Sequence, residues 1–467
     1  MVNSNKIKFG TDGWRAVIAQ KFTVDNVARV TAGVAAYLEN QKLAKKVVVG
    51  FDCRFAGILF AETVSNVLSS KGIEVLFYDK PTTTPAISLV TKKLNCGIGV
   101  IITASHNPPS YNGYKLKGSF GGPLLSEGIS QVEELIPDEA PDLNQQNDAL
   151  IIPTDINELY INHIKGHFNL EKLNNSSMKL AYDAMYGSGQ FVLPQLLPNA
   201  ELFRNEWNPH FYGLSPEPIL KNLGEFQTYL QNDVNVDLAL VNDGDADRIG
   251  LMDGDGNYID SHNIMLLLLH YLVHYKKEKG SVATGFSSTV KIQQYCDLHN
   301  LKLDIVPIGF KHICGLMLEN DVLMGGEESG GIAVGTGDHI PERDGIWNGL
   351  LLLEMMVNTG KSINELLQEV KSQVGDFAFK RIDLKIKEEQ KVAIVNQCKN
   401  KAFKSFGDLI VDRIEDLDGW KYYFNEDEWL MIRASGTEPV LRTYAEGKTP
   451  ERAAYILDCC HEEIGVL

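Results

Sequence analysis

The stretch VDLALVNDGDADR, residues 236–248, decides the fold. Its apolar run is that of a buried strand, and it stops abruptly in a loop carrying three aspartates. The same pattern returns twice. CGIGVIITASHN at 96–107 is an apolar strand running into a Ser-His loop, and DVLMGGEESGG at 321–331 is one running into a Gly-rich acidic loop. Open α/β sheets gather their ligands at the carboxyl ends of strands, so three such loops predict three similar α/β domains that face one cleft.

The rest of the chain fits this reading. At about 100–150 residues per domain, a chain of 467 residues holds three or four. Hydrophobic content of 44% and charged content of 22% are those of a soluble globular protein. KKVVVGFD at 45–52 and IEVLFYD at 73–79 read as strands, with AETVSNVLSSKG between them as a helix closing on Gly72. The polar, Pro-containing IPDEAPDLNQQNDALIIP ends a first domain at 1–150, and the hairpin-like IGLMDGDGNYID closes a second at 151–256. A third spans 257–370. From KSQVGDFAFKRIDLKI onward the pattern alternates, so 371–467 reads as a smaller α+β unit with strand-like WLMIRAS and VLRTYAEG and a closing helix.

Composition narrows the partners. A formal charge of -17 argues against nucleic acid and anionic membrane surfaces. MVNSNKIKFG has no apolar signal region, and IMLLLLHYLV and LLLLEMMV fall short of the roughly 20 residues of a membrane span. A cytoplasmic protein is expected. Seven cysteines without C-x-x-C spacing speak against a disulfide framework or a zinc site, and the adjacent Cys459 and Cys460 read as packing residues.

The motifs carry the chemistry. Asp243, Asp245 and Asp247 alternate, so their carboxylates converge only where the backbone turns, as in loops that wrap a hard cation. An EF-hand loop would have Gly and Glu where Arg248 and Gly254 stand. A phosphatase of the haloacid dehalogenase type would have Thr or Val in place of Asp247. Three hard oxygen donors after a buried strand suit Mg²⁺ with positions left open for phosphate oxygen. DGDGN at 253–257 has similar spacing and reads as a hairpin tip. Ser105 and His106 are neighbours, and in an extended chain neighbours point to opposite sides, so His106 is poorly placed as the base of a Ser-His-Asp hydrolase. In RASGTEPVLR at 433–442, Arg433 offers a planar fork, Ser435 and Thr437 offer hydroxyls, and Gly436 lets backbone N–H groups approach an anion. There is no G-x-x-x-x-G-K-[ST] for a nucleotide. Together these fit phosphoryl transfer on a sugar phosphate, with Ser105 carrying the phosphoryl group and Lys115 moving a proton or stabilising charge.

Five signatures occur in order: FGTDGWR, TASHNPPSYNGYK, DGDADR, GEESGG and RASGTEP. With them the chain resembles the α-D-phosphohexomutase superfamily, the phosphoglucomutase and phosphomannomutase enzymes, over essentially its whole length. The resemblance implies three related α/β domains with mixed sheets plus a C-terminal α+β domain, in a heart-shaped arrangement around a central cleft. It implies that Ser105 is a phosphoserine which binds Mg²⁺ together with Asp243, Asp245 and Asp247. Arg15, His106, Lys115 and Arg248 would assist transfer, and Glu327 and Ser329 would hold sugar hydroxyls. Arg433, Ser435, Gly436 and Thr437, with Arg442, would clamp the phosphate that is not reacting. Hexose 1-phosphate and hexose 6-phosphate would interconvert through a hexose 1,6-bisphosphate, which also acts as activator, in a monomer or homodimer. Gly331 stands where dual-specificity and glucosamine-type members usually have histidine. With GFKHI at 309–313 and HIPERDGIW at 339–347 it leans towards glucose, with Lys311, His312 and His339 as further substrate contacts. Phosphomannomutase and phosphoglucosamine mutase are the alternatives. A metal-dependent sugar-phosphate phosphatase and a non-catalytic sugar-phosphate-binding regulator are further ones.

Overall fold

The computed structural model describes residues 6–434 and 440–466. The first sheet holds β1 (Trp14–Val17), β2 (Lys46–Phe51), β3 (Glu74–Phe77), β4 (Ile98–Ile102), β5 (Tyr111–Gly118) and β6 (Ile151–Pro153), in the order β1-β5-β4-β2-β3-β6. From β4 to β6 the neighbours run parallel, whereas β5 and β1 are antiparallel additions. Helices α1 (Val24–Asn40), α2 (Gly57–Ser70), α3 (Thr84–Lys93) and α4 (Ser126–Glu134) accompany it. Val27, Val30 and Val34 of α1 share a buried cluster with Val47, Val49, Val100 and Ile102. Each such side chain contributes about 1.5–3 kcal/mol of burial. After α5 (Ile156–His167), a second sheet repeats the plan with β7 (Leu180–Asp183), β8 (Glu201–Phe203), β9 (Leu238–Asn242), β10 (Ile249–Asp253) and β11 (Tyr258–Ile259), ordered β11-β10-β9-β7-β8.

Further along, β12 (Ser281–Gly285) pairs in parallel with β13 (Leu303–Val306), and β14 (Val322–Gly326) pairs antiparallel with β15 (Ile332–Val334). The C-terminal sheet is antiparallel throughout: β16 (Ala378–Lys385), then β22 (Val440–Gly447), β21 (Trp429–Ala434), β20 (Trp420–Tyr423) and β19 (Arg413–Glu415). β17 (Ser405–Phe406) and β18 (Leu409–Ile410) form a separate ribbon, and the closing helix is Pro450–Glu463. No helix among the described residues is long and apolar enough to cross a membrane.

Contacts divide the chain into two compact units, residues 1–281 with 309–366 and residues 282–308 with 367–467. The second unit crosses the boundary that the sequence pattern suggests at 370. Phe286 packs with Tyr423, Trp429 and Tyr444, and the Lys421 ammonium donates to the carbonyls of Phe286 and Ser288 at 3.3 and 3.1 Å. The short edge strands β6 and β11 begin just after residues 150 and 256. β6 adds to β3 and β11 adds to β10, and strands of three and two residues are too short to leave a pattern.

The first unit turns its site loops in one way. β4, β9 and β14 are buried along their whole length, and each is followed at once by an antiparallel neighbour: β5, β10 or β15. The connections 103–110, 243–248 and 327–331 are therefore sharp reversals at strand ends.

Candidate active site

The first reversal is built around buried charge. Arg54, 2% exposed, donates through Nη1 to the carbonyls of Pro108 and Tyr111 and through Nη2 to those of Ser105 and Asn107. Asp52 takes the Arg54 backbone N–H at 2.9 Å and the Thr103 hydroxyl at 2.5 Å, and Thr103 Oγ1 in turn accepts the Ser105 N–H at 2.9 Å. Burial raises the Asp52 carboxyl to about 6 against the pull of Arg54. This clamp holds Ser105 in the left-handed region at φ 51, a conformation costing a non-glycine residue about 1–3 kcal/mol. The left-handed turn brings His106 Nδ1 to 3.3 Å from Ser105 Oγ. The expectation from extended geometry that the two side chains diverge is thereby corrected.

The second reversal meets the first. Ser105 Oγ donates to Asp243 Oδ2 at 2.6 Å, and a Cβ at Gly244 would lie 2.6 Å from the Ser105 carbonyl oxygen, so only glycine fits there. Asp243, Asp245 and Asp247 are fully buried, with one oxygen of each within 4.8 Å of the others. Thr84, in the first turn of α3, anchors Asp245 through its backbone N–H to the carbonyl and its hydroxyl to Oδ2.

Two cations enter this cage. Lys115, opposite Ile101 in the β4–β5 ladder, reaches Asp245 Oδ2 and Asp247 Oδ2 at 2.8 Å and Asp12 Oδ2 at 2.9 Å. Arg343 Nη2 lies 2.7 Å from both Asp12 Oδ2 and Asp247 Oδ2. Burial alone would discharge Lys115, but Asp12, Asp245 and Asp247 outweigh it and hold the amine firmly as ammonium. Burial likewise pushes the Asp245 carboxyl up, and Lys115 more than reverses it. At Asp243, burial, then Asp245 and Asp247, outweigh the pull of Arg248 and lift the carboxyl well above the usual range.

Among the described residues, Asp245 Oδ1 and Asp247 Oδ1 are buried without a hydrogen-bond partner. Unpartnered buried polar atoms of this kind are costly. A divalent cation would take both, and the donors, all carboxylate oxygens beside a hydroxyl, are those of Mg²⁺. The residues present fit that ion.

The third reversal supplies Glu327, which is 6% exposed and whose Oε1 accepts the Gly309 N–H at 2.9 Å. Burial raises its carboxyl to about 7, opposed by Arg343, whose Nη1 is 4.0 Å from Oε2. Ser329 is half-buried in the same turn, and the Ile249 N–H donates to the Gly330 carbonyl, tying the second reversal to the third.

Other expected residues are placed as follows. Arg15 Nη1 donates to Asn107 Oδ1 at 2.6 Å, and its Nη2 lies 3.1 Å from Asp12 Oδ2. Arg248 Nη1 and His106 Nε2 flank Glu217 Oε1 at 3.6 and 4.0 Å. Burial, then Arg248, drives the His106 imidazole well below its ordinary range, so it is neutral. Lys311 lines a crevice with Thr11, Asp12 and Lys115, and His312 stands beside it on the first turn of the helix Phe310–Glu319. His339 is 7% exposed and stacked on Trp347 at 3.7 Å, with Nδ1 3.2 Å from His163 Nε2. Arg433 and Arg442 face each other across β21 and β22 in the second unit, paired with Asp418 at 3.1 Å and Asp383 at 3.4 Å. Ser435, Gly436 and Thr437 lie outside the described residues.

Sequence reasoning missed Asp12, Arg54, Thr84 and Arg343. Asp12 and Arg343 sit inside FGTDGWR and HIPERDGIW, so the signal was present. The pairing of a charge from each stretch, 331 residues apart, was not visible.

Models of all four phosphoglucomutase/phosphomannomutase domains match the chain: alpha/beta/alpha domain I at residues 6–142, domain II at 158–256, domain III at 260–373 and the C-terminal domain at 382–459. The protein belongs to the phosphoglucomutase/phosphomannomutase family, and so to the phosphohexomutases, isomerases that transfer a phosphoryl group within a hexose phosphate. A solved structure from Thermus thermophilus, named as a putative phosphomannomutase, is 31% identical with a TM-score of 0.87, covering 98% of this chain and 99% of that one. A Pyrococcus furiosus protein named "Probable phosphoglucosamine mutase" is 29% identical over 96% of this chain and 95% of its own. A Thermococcus kodakarensis "Phosphoglucomutase/phosphomannomutase" is 28% identical over 96% of each. The names span three sugars, so the likeness fixes the reaction class and leaves the hexose open.

Proposed function

We propose that the protein interconverts hexose 1-phosphate and hexose 6-phosphate, glucose phosphates foremost, with Ser105 as phosphoryl carrier and Mg²⁺ on Asp243, Asp245, Asp247 and the serine. The observation that carries this reading is the Ser105 hydroxyl, buried and donating at 2.6 Å to Asp243 inside a cage of carboxylates. When bound, Mg²⁺ supplies positive charge against the phosphoryl oxygens.

The chain's own groups do the rest. In the first half-reaction the bond from Ser105 Oγ to phosphorus breaks as the free hydroxyl oxygen of the sugar bonds to phosphorus. The proton that hydroxyl loses is the one Oγ gains. Asp243 Oδ2 at 2.6 Å and the neutral His106 Nδ1 at 3.3 Å are placed to pass it at the Oγ end. Lys115 and Arg343, with Arg15 and Arg248 at the rim, stabilise the transferring charge. The bisphosphate then turns round, and the reverse steps return its other phosphate to Ser105. Arg433 and Arg442, with Ser435, Gly436 and Thr437, hold the phosphate that is not reacting. Glu327, at about 7, is present near neutral pH as both acid and carboxylate, so it can donate to or accept from a hydroxyl. That suits a sugar bound in two orientations, and Ser329 adds a second hydroxyl partner.

The preference for glucose rests on Gly331. A Cβ there would lie 2.4 Å from Arg343 Cδ, so the guanidinium stem fills the space that a histidine would need. Coupled assays with glucose, mannose and glucosamine 1-phosphates, primed with glucose 1,6-bisphosphate, test the reading. Glucose 1-phosphate should turn over fastest, EDTA should abolish activity, and Mg²⁺ should restore it better than Ca²⁺. A clear preference for glucosamine 1-phosphate overturns the sugar assignment. Release of free phosphate alone overturns the mutase itself in favour of a phosphatase.

A further inference from the structure

Away from the carboxylate cage, the last turn of α5 carries His163 and His167, four residues apart and therefore on one face of the helix. Asp338 comes to this face from the segment after β15. One nitrogen of each imidazole and one carboxylate oxygen of Asp338 lie within 4.8 Å of one another. We propose that His163, His167 and Asp338 form a second metal site, for a borderline transition cation of the Zn²⁺ class, separate from the Mg²⁺ cage.

Hydrogen bonds orient both rings. A ligating histidine needs its other nitrogen to donate to a fixed acceptor, which sets the tautomer and aims the lone pair. His167 Nδ1 lies 2.8 Å from the His163 carbonyl oxygen, an acceptor only, so it carries a proton, and Nε2 donates to Asp338 Oδ1 at 2.5 Å through a second proton that a cation would displace. His163 Nδ1 lies 2.8 Å from the Lys93 ammonium, a donor only, so Nδ1 accepts and Nε2 carries the proton towards His339 Nδ1 at 3.2 Å. His339 Nε2 then faces Asp344 Oδ2 at 3.2 Å. Each ring is thereby fixed in place by its neighbours.

The surroundings suit such an ion. His163 is buried, while His167 and Asp338 have side-chain exposures of 29% and 67%, which leaves a route in from solvent. Lys93 is exposed and can withdraw its ammonium, which now sits against the Nδ1 lone pair. Two imidazoles and a carboxylate leave a position for water and select Zn²⁺-like ions over Mg²⁺, which prefers oxygen alone. Cysteine spacing gave no sign of zinc because these ligands are not thiols and come from segments 171 residues apart.

The site has a mechanical consequence. The segment holding Asp338 and His339 runs on into Glu342, which takes Lys117 at 2.6 Å, and Arg343, which enters the carboxylate cage. A cation on His163, His167 and Asp338 would fasten α5 to the segment that delivers Arg343.

Zinc titration of Mg²⁺-saturated protein against a chromophoric indicator, for the wild type, His167→Ala and Asp338→Asn, tests the proposal. Both substituted side chains are partly exposed, so neither change should unfold the chain. One equivalent of Zn²⁺ should bind despite excess Mg²⁺, and zinc should raise the wild-type melting temperature. Since losing an outer hydrogen-bond partner already weakens a metal site by about 10–100-fold, each substitution should weaken binding at least tenfold and remove the thermal shift. Mutase activity with Mg²⁺ should persist in both variants. Substoichiometric wild-type binding, binding that survives either substitution, or binding lost only with Asp245→Asn overturns the site.

Discussion

The carboxylate cage of the first unit and the arginine pair of the second handle charge in opposite ways. Lys115 and Arg343 have side-chain exposures of 1% and 3%, and each is locked to two or more carboxylates. Arg433 and Arg442 have side-chain exposures of 16% and 27%, and among the described residues each meets one carboxylate that is itself more exposed. Surface pairs of the second kind are worth about 0–1 kcal/mol, so the partner of either arginine is exchanged at small cost. The buried network cannot be exchanged in that way, because removing one partner leaves a charge stranded away from water. The first arrangement is a fixed network, and the second leaves its arginines able to exchange partners.

The largest effect expected is that of Ser105→Ala. Without the covalent carrier the mutase rate should fall by at least two orders of magnitude. Intact-mass and phosphopeptide analysis of the wild type should find phosphate on Ser105. A fully active Ser105→Ala with phosphate mapped to another residue would remove the centre from the comparison altogether. Next comes Arg343→Lys. Both contacts, to Asp12 Oδ2 and Asp247 Oδ2, come from Nη2, which the shorter lysine stem does not carry to the same place, and breaking a buried pair costs about 3–5 kcal/mol. Melting temperature and turnover should fall together. An unchanged melting temperature would mean that the cage is softer than its distances imply.

Arg433→Ala should divide those two readouts. Loss of one charge-assisted contact to phosphate, about 1.5–3 kcal/mol, lowers the rate by roughly ten- to a hundredfold. A mutase must hold the idle phosphate with the same groups whichever end reacts, so forward and reverse rates should fall by a similar factor. The melting temperature should barely move, since only a partly exposed pair with Asp418 is lost. A large thermal shift, or loss in one direction only, would place Arg433 with the buried network instead.

These differences explain what could be read from the sequence. Three apolar strands that end in polar loops announced three reversals, because burial on both faces writes a continuous apolar run. Asp243, Asp245 and Asp247 were legible for the same reason, as polar residues directly after such a run. Arg54 was not, since its work is to hold the carbonyls of Ser105, Asn107, Pro108 and Tyr111, and carbonyls leave no trace in composition. Ser105 and His106 were misjudged as a pair because the left-handed turn at Ser105 depends on that clamp. His339 was read as a further substrate contact, and the stacking of Trp347, eight residues on, against its ring left no mark in the polar stretch HIPERDGIW.

The smallest effect expected is the pH dependence set by Glu327. Burial raises its carboxyl from an ordinary 4.5 to about 7, so between those values the folded protein keeps a proton that the unfolded chain releases. Stability therefore falls as pH rises through that window, because the native state binds more protons than the unfolded one. Glu327→Gln cannot ionise and should lose less. Asp52 at about 6 and Glu446 at about 7 act in the same direction, but both remain in the variant and cancel in the comparison. Melting temperatures of wild type and Glu327→Gln at pH 5 and pH 8 isolate the one group, and a difference on the order of 1 kcal/mol, about 2–4 °C, is expected. Equal slopes would mean that Arg343, 4.0 Å away, compensates the carboxylate fully, and Glu327 would then belong with the locked charges of the cage and not with the groups free to follow a turning sugar.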